Sequence, residues 1–370
     1  MDKKNRIKIP VARPDLSGKE AVYVLDAIKN EGRISSSGKY LDRFEEYGRK
    51  FFKRKHALSC SNGTTALHLA LLGLEIGPGD EVIVPVLTFT ATAAAVVHAG
   101  AKPVFIDCNL EDWTIDIKQL DKKLTPKTKA VISVDLFGMP CNYEYLENWC
   151  KKNKVFLIED AAEAHGAYYK GKPTGSFGQV SCFSFYGNKI ITTGEGGLCL
   201  TDDQKIYERM KVFKNHGMKS AGVYESEVIG YNYRLTNVQA AIGCAQFERF
   251  KEFLAKRKKT EELYKKLLSD YQGIVYQKYD ENKIKPACWL FSLLFSDKKM
   301  EYVRQELLKK GIETRTLFKP FHWQEGYRPY ITQQQFPNAE YIYEHGVSLP
   351  TFNQLTDSQI KYICAAIKNL

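Results

Sequence analysis

Between residues 56 and 201 the chain alternates between short, unbroken apolar runs and stretches with helical spacing. The runs at 81–85, 102–107, 129–135, 155–160 and 180–185 do not show the polar–apolar alternation of a half-exposed strand. Each therefore reads as a strand buried on both faces. The stretches 64–74, 89–99 and 143–152 read as the helices between them, and 56–60 and 197–201 as further strands. Buried strands separated by helices imply an α/β fold with a mainly parallel sheet covered on both faces. A sheet of that kind holds its ligand at the carboxyl ends of its strands.

From residue 246 the pattern changes. A long Lys- and Glu-rich helical stretch at 246–268 leads to a strand at 289–295, a helix at 301–310 and a last helix at 357–368. The predicted organisation is a large domain over 1–245 and a smaller α+β domain over 246–370. The first 30 residues or so are expected to pack back on the smaller one. A length of 370 residues suits two domains.

The formal net charge is +11, which can attract nucleic acid, anionic membrane or phosphorylated small molecules. The basic residues are spread out, with short clusters only at 3–6, 53–55 and 256–259. No zinc finger, basic-zipper region or RGG tract accompanies them, so the charge reads as a solvated surface and no nucleic-acid partner is expected. Nine cysteines without a CxxC pair, several inside apolar runs, read as reduced core thiols rather than a disulfide framework or zinc site. The first ten residues are charged and lack the apolar segment of a signal peptide. The longest apolar stretch, 91–101, is too short for a membrane span and contains His98. A soluble cytoplasmic protein is expected, with no membrane partner and no metal.

Four local features carry chemistry. Lys189 lies between the strand at 180–185 and the glycine-rich turn Gly194-Glu195-Gly196-Gly197. The spacing is not that of a phosphate-binding P-loop or a dinucleotide fingerprint. A Lys at a strand end, partly desolvated, can act as an amine nucleophile; a surface Lys beside a turn is the plainer alternative. Asp160 ends the strand at 155–160 and so stands at the carboxyl edge of the sheet. There it could hold a cation, a metal or a protonated pyridine nitrogen, or simply cap a helix over 161–165. In Ser61-Asn62-Gly63-Thr64-Thr65 a strand enters a turn and then a helix. Such a helix N-terminus suits phosphate, although many capped helices bind nothing. Phe89 follows the strand at 81–85 and could stack on a heteroaromatic ring or be ordinary core. One cofactor needs all four: an amine for an aldehyde, an acid for a ring nitrogen, a stacking face and a phosphate site. That cofactor is pyridoxal 5′-phosphate (PLP), held on a Lys.

The chain resembles the DegT/DnrJ/EryC1 family of sugar aminotransferases, which are fold-type I PLP enzymes. The likeness runs through residues 34–38, 61–67, 88–92, 159–166, 184–197, 230–234, 311–315 and 348–350. It implies that Lys189 carries the cofactor and moves the proton, and that Asp160 keeps the pyridine nitrogen protonated. It implies that Phe89 stacks on the ring and that Gly63, Thr64 and Ser184 hold the phosphate. Asn232 resembles the residue that reaches the phosphate of a neighbouring subunit, which implies a homodimer with shared active sites. Glu163 falls where many relatives have Gln near the cofactor's phenolic oxygen. A carboxylate beside a phenolate is unfavourable unless it is protonated or turned away.

The retained Lys189 implies transamination, with L-glutamate as amino donor and a nucleotide-linked keto sugar as acceptor. The stretches around Trp289, Arg315 and His322 resemble those of perosamine-forming relatives and imply a substrate-binding role for these three. The implied acceptor is GDP-4-keto-6-deoxymannose, aminated at C4. The alternatives are a UDP- or dTDP-linked 4-keto-6-deoxyglucose, a 3-keto sugar, or a regulatory relative that keeps the fold without the chemistry.

Overall fold

The computed structural model describes residues 7–218, 224–331 and 335–370; the basic cluster at 3–6 lies outside them. In chain order the strands are β1 (His56–Cys60), β2 (Glu81–Pro85), β3 (Lys102–Ile106), β4 (Thr128–Val134), β5 (Phe156–Asp160), β6 (Tyr168–Tyr169) and β7 (Lys172–Pro173). There follow β8 (Val180–Ser184), β9 (Gly197–Thr201), β10 (Ile274–Val275), β11 (Ile284–Lys285), β12 (Phe291–Phe295), β13 (Arg315–Thr316) and β14 (Gly346–Leu349). The large sheet has the order β1-β9-β8-β5-β4-β2-β3. β8, β5, β4, β2 and β3 pair in parallel, while β9 is antiparallel to both β1 and β8.

The reversal at β9 has a local cause. A parallel crossover needs about a dozen residues or more, usually including a helix. The segment between β8 and β9 has no helix, so the chain turns back beside β8. The turn places Lys189 at the carboxyl end of β8. Asp160 stands at the same edge as the last residue of β5, as does the entry to the helix Gly63–Gly73, which follows β1.

Successive strand residues feed opposite cores, as continuous apolar runs require. Val82, Val84, Ala130, Ile132 and Ile158 enter one core, and Ile83, Val131 and Leu157 the other. The helices Lys39–Phe51, Gly63–Gly73 and Asn237–Glu248 supply the first; Tyr143–Asn153 supplies Leu146 and Trp149 to the second. Each such aliphatic side chain, fully buried, contributes about 1.5–3 kcal/mol.

A second sheet, β10-β12-β14-β13, is antiparallel throughout. Phe291, Leu293 and Phe295 of β12 pack against Tyr264, Val303, Leu307, Ile360 and Ile363 from three helices. β11, β6 and β7 form a small separate sheet.

The helix expected over 246–268 is two helices, Asn237–Glu248 and Phe250–Leu267, which meet at Arg249. The Arg249 backbone leaves the helical region at φ −104°, ψ 5°, while its side chain bridges Asp15 and Glu252. Gln246, Phe247 and Glu248 run into the next helix with no Gly or Pro between, so nothing local marks the break. Ile9 bridges Ile312 beside the second sheet, and Glu313 accepts the Val11 N–H at 2.8 Å. By contrast, the helix Glu20–Lys29 packs on Asn237–Glu248, where Gln246 donates to Glu20 at 2.6 Å. All nine cysteines are free and all but Cys288 are buried. Among the described residues no helix is long and apolar enough to cross a membrane.

Candidate active site

The carboxyl edge of the large sheet opens into a cavity of about 630 Å³. Its lining includes Asn62, Gly63, Thr64, Phe89, Asp160, Glu163, Ser184, Tyr186, Asn188, Lys189, Glu195, Trp289, Arg315 and Phe318. The large sheet and its loops bring Lys189, Asp160, Glu163, Ser184, Gly63, Thr64 and Phe89 together; Trp289 and Arg315 close the wall from the second sheet's side.

At one end stands the N-terminus of the helix Gly63–Gly73. Asn62 caps it, accepting the Thr65 N–H at 2.9 Å, and Thr65 completes a reciprocal capping box. This leaves Gly63 and Thr64 as the outermost first-turn N–H donors, with the helix dipole behind them. Gly63 lies so close to β8 that a Cβ on it would meet the Ser184 Cβ at 2.8 Å. Only glycine lets the helix start beside the Ser184 hydroxyl. Three polar groups therefore converge on an anion-sized space at the cavity wall.

Asp160 is 5% exposed. Its Oδ2 accepts from the Thr92 hydroxyl at 2.8 Å and its Oδ1 from the Ala162 N–H at 3.3 Å. Burial raises its pKa; Thr92, Ala162 and the Lys189 charge pull the other way. A cationic N–H placed against this carboxylate offsets its desolvation. No helix follows Asp160, so its capping alternative fails.

Lys189 is buried, not a surface residue: its side chain is 10% exposed. Nζ lies 3.9 Å from the centre of the Trp289 ring, and the Trp289 indole N–H donates to the Asn188 carbonyl at 2.8 Å. Burial lowers the Lys189 pKa, Glu163 and Asp160 raise it, and Arg315 lowers it further. Glu163 Oε1 stands 3.7 Å from Nζ. Phe89, half exposed, points into the cavity rather than the core.

Two expected site residues are not brought to this cavity. His322 sits in the turn Phe321–Trp323, where its Nε2 meets Glu340 at 2.9 Å and its ring packs on Phe336. An acidic partner and aromatic neighbours occupy it away from the lining. Asn232 is exposed and accepts from Arg234 at 2.9 Å, outside the cavity of its own chain.

Four contributors escaped the sequence reading. Thr92 orients Asp160 from 68 residues away, and Asn188 anchors Trp289 across 101 residues. Phe137 donates its N–H to Glu163 at 2.8 Å. Phe318 stacks on Phe137 at 5.4 Å and reaches Phe89 at 5.9 Å. No spacing pattern signals these contacts; Phe137 alone had a clue, in the Gly138 that follows it at a strand end.

The donor set fits PLP. A helix N-terminus with a hydroxyl suits its phosphate, a buried carboxylate its ring nitrogen, an exposed aromatic its ring face, and a desolvated amine its aldehyde. A cluster of at least three His, Cys, Asp or Glu side chains able to hold a metal ion does not occur among the described residues.

Comparison with known proteins agrees with this chemistry. Residues 15–368 match the model of the DegT/DnrJ/EryC1/StrS aminotransferase family. The chain is 42% identical over 364 residues to the GDP-perosamine synthase of Escherichia coli O157:H7, covering 97% of each chain. It is 39% identical to that of Vibrio cholerae, covering 98% of each. A Streptococcus pneumoniae structure solved in its PLP form superposes with a TM-score of 0.92 at 28% identity, covering 98% of each chain.

Proposed function

The chain belongs to the DegT/DnrJ/EryC1/StrS aminotransferase family and is a PLP-dependent aminotransferase; we propose that it moves the amino group of L-glutamate to C4 of GDP-4-keto-6-deoxymannose, giving GDP-perosamine. The observation that carries the acceptor is the end-to-end 42% identity with a GDP-perosamine synthase. The division of labour within the chain follows from the cavity.

When bound, PLP supplies an electron sink for the charge left on a carbon that loses its proton. The Lys189 amine would hold the cofactor by its aldehyde carbon, and its Nζ is the atom placed to move a proton at the substrate carbon. Asp160 keeps a proton on the ring nitrogen by opposing it with a buried negative charge, and Thr92 fixes that carboxylate. The Gly63 and Thr64 N–H groups and the Ser184 hydroxyl, which line the cavity, would bind the phosphate, and Phe89 would cover a ring face. Trp289, Phe318 and Arg315 form the acceptor's side of the cavity. Arg315 supplies a cation for a pyrophosphate, and the aromatics exclude water from the reacting carbon. His322 has no part in this cavity; Glu340 holds it elsewhere.

Asn232 lies outside its own cavity, and the segment that leads to it has a surface that exposes Tyr224 and Ile229 almost completely. A homodimer in which each Asn232 reaches the other subunit's phosphate gives that residue a use and covers that surface. The buried free thiols suit a reducing cytoplasm. We keep as part of this proposal the division into a large domain over 1–245 and a smaller one over 246–370.

The test is direct. The purified holoenzyme is incubated with L-glutamate and, separately, GDP-, UDP- and dTDP-linked 4-keto-6-deoxyhexoses, and products are identified by mass and NMR. The GDP sugar is expected to gain nitrogen at C4; preferred amination of a UDP or dTDP sugar overturns the acceptor assignment. Lys189→Ala is expected to abolish turnover with every acceptor.

A further inference from the structure

Glu163 is a cavity group whose chemistry remains unused. Its carboxyl is buried and fixed: Oε2 accepts the Phe137 N–H at 2.8 Å. That N–H is aimed by a left-handed backbone, φ +56° at Phe137, a conformation uncommon for a residue with a side chain. The remaining oxygen, Oε1, stands 3.7 Å from Lys189 Nζ, the sole ion pair of Lys189 among the described residues. A glutamine would fill the same space and accept the same N–H. What only the acid adds is an oxygen that can carry either a negative charge or a proton.

The other ionisable groups around the pair are Asp160, His165, Tyr186, Glu195 and Arg315. Asp160 is already engaged by Thr92 and Ala162. Arg315 disfavours a second cation beside it, and burial with the Lys189 charge keeps His165 neutral.

We propose that Glu163 is a positioning residue for Lys189 that takes the ammonium proton, so that Lys189 becomes a neutral nucleophile without losing a proton to solvent. In this step an N–H bond of Lys189 breaks, its electron pair stays on nitrogen, and an O–H bond forms on Glu163 Oε1. The net charge of the cavity is unchanged. The driving force is desolvation: two ions withdrawn from water each carry a penalty that the neutral amine–acid pair avoids. Burial acts on both partners in that sense, pushing Lys189 down and Glu163 up to about 7. The present separation is an ion-pair distance, and transfer proceeds on closer approach or through one water. The inference rests on the reading of Lys189 as the amine nucleophile.

The experiment uses the full-length chain stripped of cofactor. Lys189 is trace-acetylated with acetic anhydride from pH 5 to 10 against a standard amine, and its peptide is quantified by mass spectrometry. If one proton is shared, Lys189 reactivity in the wild type rises in two steps separated by a flat stretch, where pH no longer changes the shared proton. Glu163→Gln is expected to leave one step; Glu163→Asp, which keeps an acid, is expected to retain two. A proton resting wholly on Glu163 instead gives one step at the pH of Glu163→Gln; one wild-type step at higher pH than in Glu163→Gln overturns the proposal, because Glu163 is then a fixed counter-ion. Protection of Lys189 by added PLP separately tests the nucleophile reading, so failure of either idea is recognised by itself.

Discussion

Gly63→Ala tests whether the phosphate end of the cavity works through close approach of two backbones. The added Cβ would stand 2.8 Å from the Ser184 Cβ and 3.3 Å from its hydroxyl oxygen. Optimal carbon–carbon contact is about 3.5–4.0 Å, so the helix start and the end of β8 must separate by about 0.7 Å or more. Overpacking of that kind costs about 1–3 kcal/mol. Replacing glycine in a helix interior gains about 1 kcal/mol, and less at the first helical position. The clash therefore wins, with a net loss of about 1–2 kcal/mol. The movement also swings the Gly63 and Thr64 N–H groups away from the Ser184 hydroxyl. If half to all of that energy appears in binding, PLP affinity falls about two- to thirtyfold, since about 1.4 kcal/mol is a factor of ten. Equilibrium dialysis of PLP and urea unfolding of the cofactor-free chain measure the two effects. Adding Ser184→Gly removes the clashing Cβ and should recover stability without recovering the hydroxyl's share of affinity. The reasoning is refuted if Gly63→Ala binds PLP as tightly as the wild type and unfolds at higher urea, the result expected of an ordinary helix start.

Asp160→Asn keeps the hydrogen bond from Thr92 but removes the charge opposing the ring nitrogen; turnover should fall at least about a hundredfold with the far-UV spectrum unchanged, and near-normal turnover excludes the role. Asn232→Ala should speed PLP loss on dilution; dilution-independent retention in the variant argues that the residue contacts no neighbouring subunit. His68 is buried on the helix Gly63–Gly73, and burial first, then the charge of His98, pushes its pKa down to about 4. Its unfolded value is near 6.5, so the unfolded chain binds the proton more readily. Stability should be full above about pH 6.5 and fall toward pH 4, by about 2–3 kcal/mol after allowance for partial screening. His68→Gln should flatten that slope in urea titrations at pH 7 and 4.5.

The residues legible in the sequence share one physical property. Lys189, Asp160 and Gly63 each lie near where an apolar strand stops or a helix begins, and a mainly parallel sheet brings such points to one edge. Their meeting needed no long-range knowledge. Trp289 and Arg315 were legible only through resemblance, because nothing local says that a second sheet will lean over the first. Thr92 finds Asp160 across 68 residues, and no spacing rule spans that distance. For His322 the resemblance implied a substrate-binding role, yet Glu340, on a helix 18 residues later, takes its ring nitrogen. The split at Arg249 was hidden because a helix-forming surface reads the same on either side of a bend.

Departures from local rules gather where the two sheets meet over Lys189. The left-handed Phe137 backbone costs about 1–3 kcal/mol. In return its N–H is aimed at Glu163, and its ring stacks between Phe318 and Trp289 with interplanar angles of 10° and 8°. Trp289 is itself tied at both ends. Its indole N–H bonds the loop that carries Lys189, and its carbonyl accepts from the buried Arg257 at 2.8 Å, which also bonds the Thr351 carbonyl beyond β14. Arg257 is a cation held by carbonyls and an amide oxygen, with no carboxylate among the side chains it bonds. Such a group is costly unless every donor is satisfied, so the second sheet cannot drift without unpairing it. The amine of Lys189 thus owes its dryness, its aromatic neighbour and its acid partner to contacts from both sheets. A chain selected only for stability would relax the Phe137 turn and neutralise Arg257; keeping both fixes one nitrogen in one environment.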